Sequence, residues 1–140
     1  MNRTLLVVGA GKAGTAICRA AMSSGHNVRV LDSRPEHVSE AVSQLSGAMV
    51  TLGSGTDPAD LEAAGIRACD TLVAATGSDE VNLVTATLAR FEFGVDLILA
   101  RVVDPRNRWL FDEDMGVDVP LDDTALLAEL VDDRLGPDPD

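Results

Sequence analysis

Residues 5–14 read LLVVGAGKAG, so four apolar residues lead directly into three glycines at positions 9, 11 and 14. The apolar run predicts a buried strand, and the segment that follows predicts a helix. Glycine destabilises both kinds of element, and three glycines at one junction therefore need an explanation. Either the turn is tight, or a ligand approaches the main chain closely at this point.

The rest of the chain repeats this alternation between short apolar runs and helical segments. Strands are predicted at residues 3–9, 26–32, 48–53, 71–76, 96–102 and 117–120. Helices are predicted at residues 12–24, 35–46, 57–64, 78–92, 104–115 and 122–135. Strict alternation predicts an α/β fold: a Rossmann-like, doubly wound parallel six-stranded sheet with flanking helices.

The length and composition are those of one folded domain. The chain has 140 residues, of which 1–134 are predicted to form the domain and 135–140 an acidic tail. It is 46% hydrophobic but only 3% aromatic, so the core must be aliphatic, as in a parallel sheet buried on both faces. The two cysteines, Cys18 and Cys69, have no metal-binding or disulfide spacing and are predicted to be reduced thiols.

The net charge and the apolar runs of the chain limit which kinds of ligand and partner it is expected to bind. The formal net charge is −12, which would repel a nucleic-acid backbone, and no nucleic-acid partner is expected. No apolar run approaches the roughly 20 residues of a membrane-spanning helix. Any anionic ligand must therefore be held by local devices, namely helix N-termini and a few basic side chains.

The glycine turn has the spacing G-x-G-x-x-G over Gly9, Ala10, Gly11, Lys12, Ala13 and Gly14. In a dinucleotide-binding turn the first glycine permits the bend, the second lets a pyrophosphate reach the main chain, and the third lets the helix pack on the strand. Lys12 would pair with a phosphate oxygen. An acidic residue is expected about 20 positions later, at the end of the second strand.

Asp32 lies at that position. Its carboxylate is predicted to accept both hydroxyls of an adenosine ribose, which favours a ribose without a 2′-phosphate. Ser33 and Arg34 follow it, and Arg34 either relaxes that preference or stacks on adenine. Loops after the third, fourth and fifth strands complete the candidate crevice with Ser54, Gly55, Thr56, Ala75, Thr76, Gly77 and Arg101.

Five stretches carry a family resemblance: GAGKAG, VLDSRPE, LGSGTDPADLEAAGI, LVAATGSDEVNL and RVVDPRNRWLF. In this order they resemble the N-terminal domain of the RCK group, also called TrkA-N, and most closely its actinobacterial Trk-type potassium-uptake regulators. The resemblance runs from Arg3 to about Arg134. It implies a cytoplasmic regulatory domain, peripheral to the inner face of the cell membrane, which binds NAD(H) or ATP/ADP. It also implies homodimers or larger rings that gate a membrane potassium channel or transporter.

The resemblance assigns roles to particular residues. It implies a phosphate turn at the three glycines, a ribose acceptor at Asp32, an adenine-side loop at Thr56, and phosphate-side contacts at Thr76 and Arg101. Lys12 occupies the place of a phosphate-binding arginine in ATP-binding relatives. The chain departs from the usual GDAT after the third strand, because Ser54 and Gly55 replace the aspartate and alanine. Ligand choice is open at that loop.

Two other functions remain possible at this stage. The chain could be the detached NAD-binding domain of an oxidoreductase, or a scaffold with an empty pocket. No tyrosine is present, and His26 and His37 are predicted to be surface residues without a role, so no enzymatic activity is expected. Asp79 and Glu80 could hold Mg²⁺ beside a triphosphate, but as helix-start acids they are expected to be structural.

Overall fold

Six parallel strands form one sheet in the computed structural model, which describes residues 2–137. The strands are β1 (Thr4–Val8), β2 (Asn27–Asp32), β3 (Met49–Leu52), β4 (Thr71–Ala74), β5 (Leu97–Val102) and β6 (Val119–Asp122). Their order is β3-β2-β1-β4-β5-β6, so the chain reverses direction across the sheet between β1 and β4. This arrangement confirms the predicted Rossmann-like fold and leaves a crevice at the carboxyl ends of those two strands.

The helices follow the strands in the predicted alternation. They are α1 (Lys12–Ser23), α2 (Pro35–Gln44), α3 (Pro58–Ala63), α4 (Asp79–Thr87) and α5 (Asp123–Leu135). Helix α4 continues into a π-helical turn over Leu88–Glu92. Within residues 2–137, none of the helices combines the length and apolar character that crossing a membrane requires. Residues 138–140 of the predicted acidic tail lie outside the described residues.

Both faces of the sheet are buried, which explains the strongly apolar strands. Leu5 and Val7 of β1 pack in one cluster with residues of α1 and α2. Leu6 and Val8 pack in the opposite cluster with residues of α3 and α4. Alternate side chains of a strand point to opposite faces, so one short run of aliphatic residues supplies both layers of the core.

Two segments differ from the sequence prediction. Residues 104–115 form two short 3₁₀ helices, Pro105–Leu110 and Glu113–Met115, rather than one helix. Phe111 interrupts them because its side chain is buried in the core. Strand β6 begins and ends two residues later than predicted, and Pro120, the last residue of the predicted strand, lies within it. Proline is tolerated there because β6 is an edge strand.

Both cysteines are free thiols. Cys18 lies on α1 and is fully buried, and Cys69 is half-buried. Burial raises the pKa of both thiols to about 11, so they are protonated at neutral pH and behave as small apolar side chains.

Helix α5 is the least enclosed element of the chain. None of its residues is buried, and its exposed apolar side chains are Leu126, Leu127, Leu130, Val131 and Leu135. Four of these, with Arg134, line a shallow groove along the helix at positions 127, 130, 131 and 135. That spacing forms one helical stripe. A surface helix normally turns such a stripe towards its own core.

Candidate functional site

A cavity of about 420 Å³ opens at the carboxyl ends of the strands where the strand order reverses. Thirteen of the predicted site residues line it: Gly9, Gly11, Lys12, Ala13, Asp32, Ser33, Arg34, Ser54, Gly55, Ala75, Thr76, Gly77 and Arg101. Three do not line it: Ala10, Gly14 and Thr56. Six lining residues were not predicted: Val8, Leu31, His37, Gly53, Ser78 and Val81. We call this cavity the crevice.

Two of the three motif glycines are required by the fold itself. Gly9 has φ +110°, and a Cβ atom there would lie 2.8 Å from the carbonyl carbon of Ala75. A Cβ atom on Gly14 would overlap the carbonyl oxygen of Gly9. Gly9 therefore permits the turn and the close approach of β4, and Gly14 permits α1 to pack against the end of β1.

Gly11 is different, because the fold does not require a glycine there. Its φ is −77°, which any residue adopts. The nearest atom to a Cβ on Gly11 would be Cε1 of His37 at 3.9 Å, an ordinary contact. The open space in front of Gly11 belongs to the crevice, so the missing side chain leaves room for a ligand rather than for a neighbouring element.

Helix α1 begins without a side-chain cap. Helices α3, α4 and α5 are capped by Asp57, Ser78 and Asp122, each of which accepts a hydrogen bond from a first-turn amide. Gly11 makes no such bond, and the first turn of α1 carries no acidic residue. Its amide groups and the positive end of its dipole therefore face the crevice unneutralised, which is the arrangement that binds a phosphate.

Asp32 is held by the main chain around it. Its Oδ2 accepts a hydrogen bond from the amide of Ala10 at 2.7 Å, and its Oδ1 accepts one from the amide of Arg34 at 2.8 Å. Burial acts to raise the pKa of Asp32, but these bonds and one from His37 hold it below its usual value. Asp32 is thus a carboxylate at neutral pH, and it fixes the glycine turn to the start of α2.

The sequence prediction for His37 is wrong. The residue is half-buried and lines the crevice, and its Nδ1 lies 3.0 Å from Oδ2 of Asp32. Pro35 at the first helical position places His37 in the first turn of α2, and the N-terminal turns of helices in this fold open on the crevice. That position, five residues after Asp32, was the signal available in the sequence.

His37 also limits what Asp32 can accept. Oδ2 already has two donors, Ala10 and His37, and Oδ1 has one, Arg34. A carboxylate offers about four acceptor positions, so one remains, on Oδ1. The free protein therefore leaves Asp32 one open acceptor position, whereas the sequence prediction, in which Asp32 accepts both ribose hydroxyls, requires two.

The loop after β3 is shaped by close packing. The amide of Ser54 donates to Oδ2 of Asp60 at 2.8 Å, and the hydroxyls of Ser54 and Thr56 lie 2.8 Å apart. A Cβ on Gly55 would lie 2.7 Å from Oγ1 of Thr85, and this explains the glycine at that position. Thr56 is exposed and lies outside the crevice.

A buried asparagine that the sequence analysis missed organises the loop after β4. Oδ1 of Asn82 accepts from the amide and the hydroxyl of Thr76, at 3.0 and 2.7 Å. Nδ2 of Asn82 donates to the carbonyls of Thr76 and Arg101, at 3.1 and 3.0 Å. All of the donors and acceptors of this fully buried amide are paired, so the ends of β4 and β5 are held in a fixed relation at the edge of the crevice.

The crevice is locally basic in a strongly acidic chain. Its lining includes Lys12, Arg34 and Arg101 but only one acidic side chain, Asp32. Asp79 is engaged elsewhere, because its carboxylate accepts from the amides of Val103 and Asp104. Among residues 2–137, no three histidine, cysteine or acidic side chains are placed to hold a metal ion. The local charge suits an anion.

The fold and the crevice define a Rossmann-like domain with a candidate ligand site where the strand order reverses. Residues 5–121 match the family model of the TrkA-N domain, and the chain belongs to that family. It is 38% identical over 129 residues to the Trk system potassium uptake protein TrkA of Mycobacterium tuberculosis. The alignment covers 92% of this chain and 58% of that protein, so the chain spans little more than half of its relative's length. The predicted resemblance is confirmed.

Solved structures share the fold. The TrkA-N domain of inner membrane protein ybaL from Escherichia coli has a TM-score of 0.84 at 16% identity, covering 97% of this chain and 98% of that one. The Shewanella denitrificans Kef CTD in its AMP-bound form has a TM-score of 0.74 at 24% identity, covering 96% and 82%. The GsuK channel bound to NAD has a TM-score of 0.73 at 21% identity, covering 86% and 21%. At these identities the likeness establishes the fold alone.

Proposed function

We propose that residues 1–134 form a regulatory domain that binds an adenine nucleotide in the crevice. The observation that carries this proposal is Gly11, a glycine which the fold does not need and which faces the uncapped start of α1. The three basic side chains around the crevice supply further attraction for phosphates. Asp32 would receive the ribose, and Lys12 and Arg101 would lie on the phosphate side.

The ligand is proposed to be NAD(H) or ATP/ADP. The structural neighbours include a GsuK channel bound to NAD and a Kef domain bound to AMP, and the adenosine monophosphate moiety is common to these ligands. The recognition that we propose, with phosphate on the α1 amides and ribose on Asp32, uses only that common moiety. The other half of the ligand would extend towards Thr76 and Gly77, where the loop after β4 lines the crevice.

We propose that this domain regulates a membrane potassium channel or transporter at the inner face of the cell membrane, and that it has no enzymatic activity. Its relatives are named as potassium uptake proteins. The carboxylate of Asp32 is held by two main-chain amides and by His37, and this supports a role in binding a ligand.

Arg101 offers a route from the nucleotide to α5. Its side chain lines the crevice, and its Nη2 lies 3.6 Å from Oδ2 of Asp123, the first residue of α5. A phosphate that binds Arg101 competes with Asp123 for the guanidinium. Nucleotide binding would then favour one position of α5 over another, and a ligand shifts an equilibrium only through such a difference in affinity.

The apolar stripe of α5 is proposed to join two copies of the chain. The stripe is exposed. A second apolar surface lies on the face of the sheet that carries α1 and α2, where Leu97 and Leu99 of β5 are only half-buried. Two copies would cover these surfaces by packing their α5 helices together. Because α5 begins next to Arg101, a homodimer joined through α5 would also link the crevices of its two copies. Several such dimers would then assemble into a ring.

Leu130→Asp is expected to convert the dimer into monomers, raising the dimer dissociation constant by at least about 100-fold, because a charge would be buried in an apolar seam. Light scattering coupled to size-exclusion chromatography measures the change. Glu129→Lys, an exposed position off the stripe, is the control and should remain dimeric. A Leu130→Asp protein with the native mass would contradict the proposed interface.

Asp32→Ala is expected to weaken binding of AMP, ATP and NAD⁺ by about 1–3 kcal/mol, or roughly 5- to 150-fold, because a charge-assisted hydrogen bond to the ribose is lost. Calorimetric titration of each nucleotide into the native and variant chains tests the proposed function. Glu40→Ala, which removes an exposed acid from α2, should bind as the native chain does. A native chain that binds none of the three nucleotides at millimolar concentration would overturn the proposal.

A further inference from the structure

His37 lines the crevice and uses only one of its two ring nitrogens in a hydrogen bond within the described residues. Asp32 is a carboxylate and can only accept hydrogen bonds, so the Nδ1 atom that lies 3.0 Å from it must carry the proton. Nε2 is then the open nitrogen of the ring, and it has no hydrogen-bond partner within residues 2–137. The ring also borders Gly11, since Cε1 is the atom nearest to the position of a Cβ there.

The charge of this ring decides what Nε2 offers a ligand. A neutral imidazole with a proton on Nδ1 accepts at Nε2 and leaves the carboxylate charge of Asp32 uncompensated. An imidazolium donates at Nε2 and neutralises that charge. Histidine is the side chain that changes between these states near neutral pH, and the chain has only two histidines.

The charged groups around His37 are few. Asp32 lies at the end of β2, Arg34 in the loop before α2 and Lys12 in the first turn of α1, and all three line the crevice with His37. Glu36 and Glu40 on its own helix are exposed. On the adjoining α1, the guanidinium at position 19 bonds to the side chain at position 44 near the far end of α2. Strand β3, which also packs on α2, contains no charged residue.

We propose that protonation of His37 sets how strongly the crevice discriminates between an adenosine with a free 2′-hydroxyl and one with a 2′-phosphate. This inference rests on the proposed function, which places the ribose beside Asp32. With His37 neutral, the carboxylate repels a 2′-phosphate and Nε2 accepts from a hydroxyl. With His37 protonated, Asp32 and His37 form a neutral pair, and Nε2 and Arg34 both donate towards the 2′ position.

The test compares two ligands that differ only by that phosphate. AMP and adenosine 2′,5′-bisphosphate are titrated calorimetrically at pH 8 and pH 6 into the native chain, His37→Gln and His26→Gln. Glutamine can still donate to Asp32 but does not titrate. His26 accepts from the amide of Arg3 beside the opposite ends of the strands, and it is the matched control. The 2′-phosphate itself titrates near pH 6, and His37→Gln reports that contribution separately.

The quantity compared is the dissociation constant of the bisphosphate divided by that of AMP. Between pH 8 and pH 6 this ratio should fall for the native chain and for His26→Gln, and the fall should be about tenfold larger than in His37→Gln. An equal fall in His37→Gln and the native chain would overturn the inference while leaving the proposed function intact. Failure of both ligands to bind the native chain would overturn the proposed function, and the inference with it.

Discussion

Gly11→Val is expected to abolish nucleotide binding while leaving the chain folded. The valine side chain would occupy the open space in front of the α1 amides, where the proposed function places the phosphates. In the free protein that space contains no atom closer than 3.9 Å to the Cβ position, and φ is −77°, so the fold loses little. We expect a loss of about 1 kcal/mol in the free energy of unfolding, because valine is a poorer N-cap than glycine.

The measurement is calorimetric titration of AMP, ATP and NAD⁺, with urea unfolding recorded on the same samples. Ala20→Val places the same side chain on an exposed part of the same helix and should bind as the native chain does. Native affinity in Gly11→Val would show that phosphates do not approach Gly11. It would remove the observation on which the proposed function depends.

Gly14→Ala is expected to destabilise the chain by about 3 kcal/mol or more, because a single methyl group would overlap the carbonyl oxygen of Gly9. The main chain fixes the positions of both the Cβ atom of residue 14 and the carbonyl oxygen of Gly9, so no side-chain rotation relieves the overlap. Relief would require α1 to move away from the end of β1. That movement would open the core cluster around Cys18, which is fully buried.

Urea unfolding of Gly14→Ala measures this loss, and Gly77→Ala provides the comparison. Gly77 has no atom within 4 Å of its Cβ position and no positive φ, so its alanine variant should unfold at the native urea concentration. A Gly14→Ala chain as stable as the native one would mean that α1 does not pack on the turn as described. The two glycine variants at positions 11 and 14 therefore separate ligand approach from tight packing within one motif.

Much of the fold followed from local patterns in the sequence. The aliphatic run before Gly9 predicted β1, and Ser78, followed by two acids, correctly predicted the start of α4. Such signals act within one turn of helix or one strand, where propensity and capping decide the conformation. The glycine turn and Asp32 could be located for the same reason, since the motif spans a single strand–turn–helix unit.

Other features depended on distances between segments that are remote in sequence. Asn82 on α4 bonds to the main chain of Arg101 on β5, 19 residues further along the chain. The burial of Phe111 divides a segment whose local pattern predicts one helix. The sequence alone determined the parallel sheet, the succession of strands and helices along the chain and the glycine turn, because these arise from short-range periodicity and backbone geometry. Only the tertiary structure decided that His37 contacts Asp32, that no neighbouring element packs closely against Gly11, and that the apolar stripe of α5 is exposed. Those facts depend on which surfaces meet in space, and hydrophobic periodicity specifies that a face is apolar without specifying what covers it.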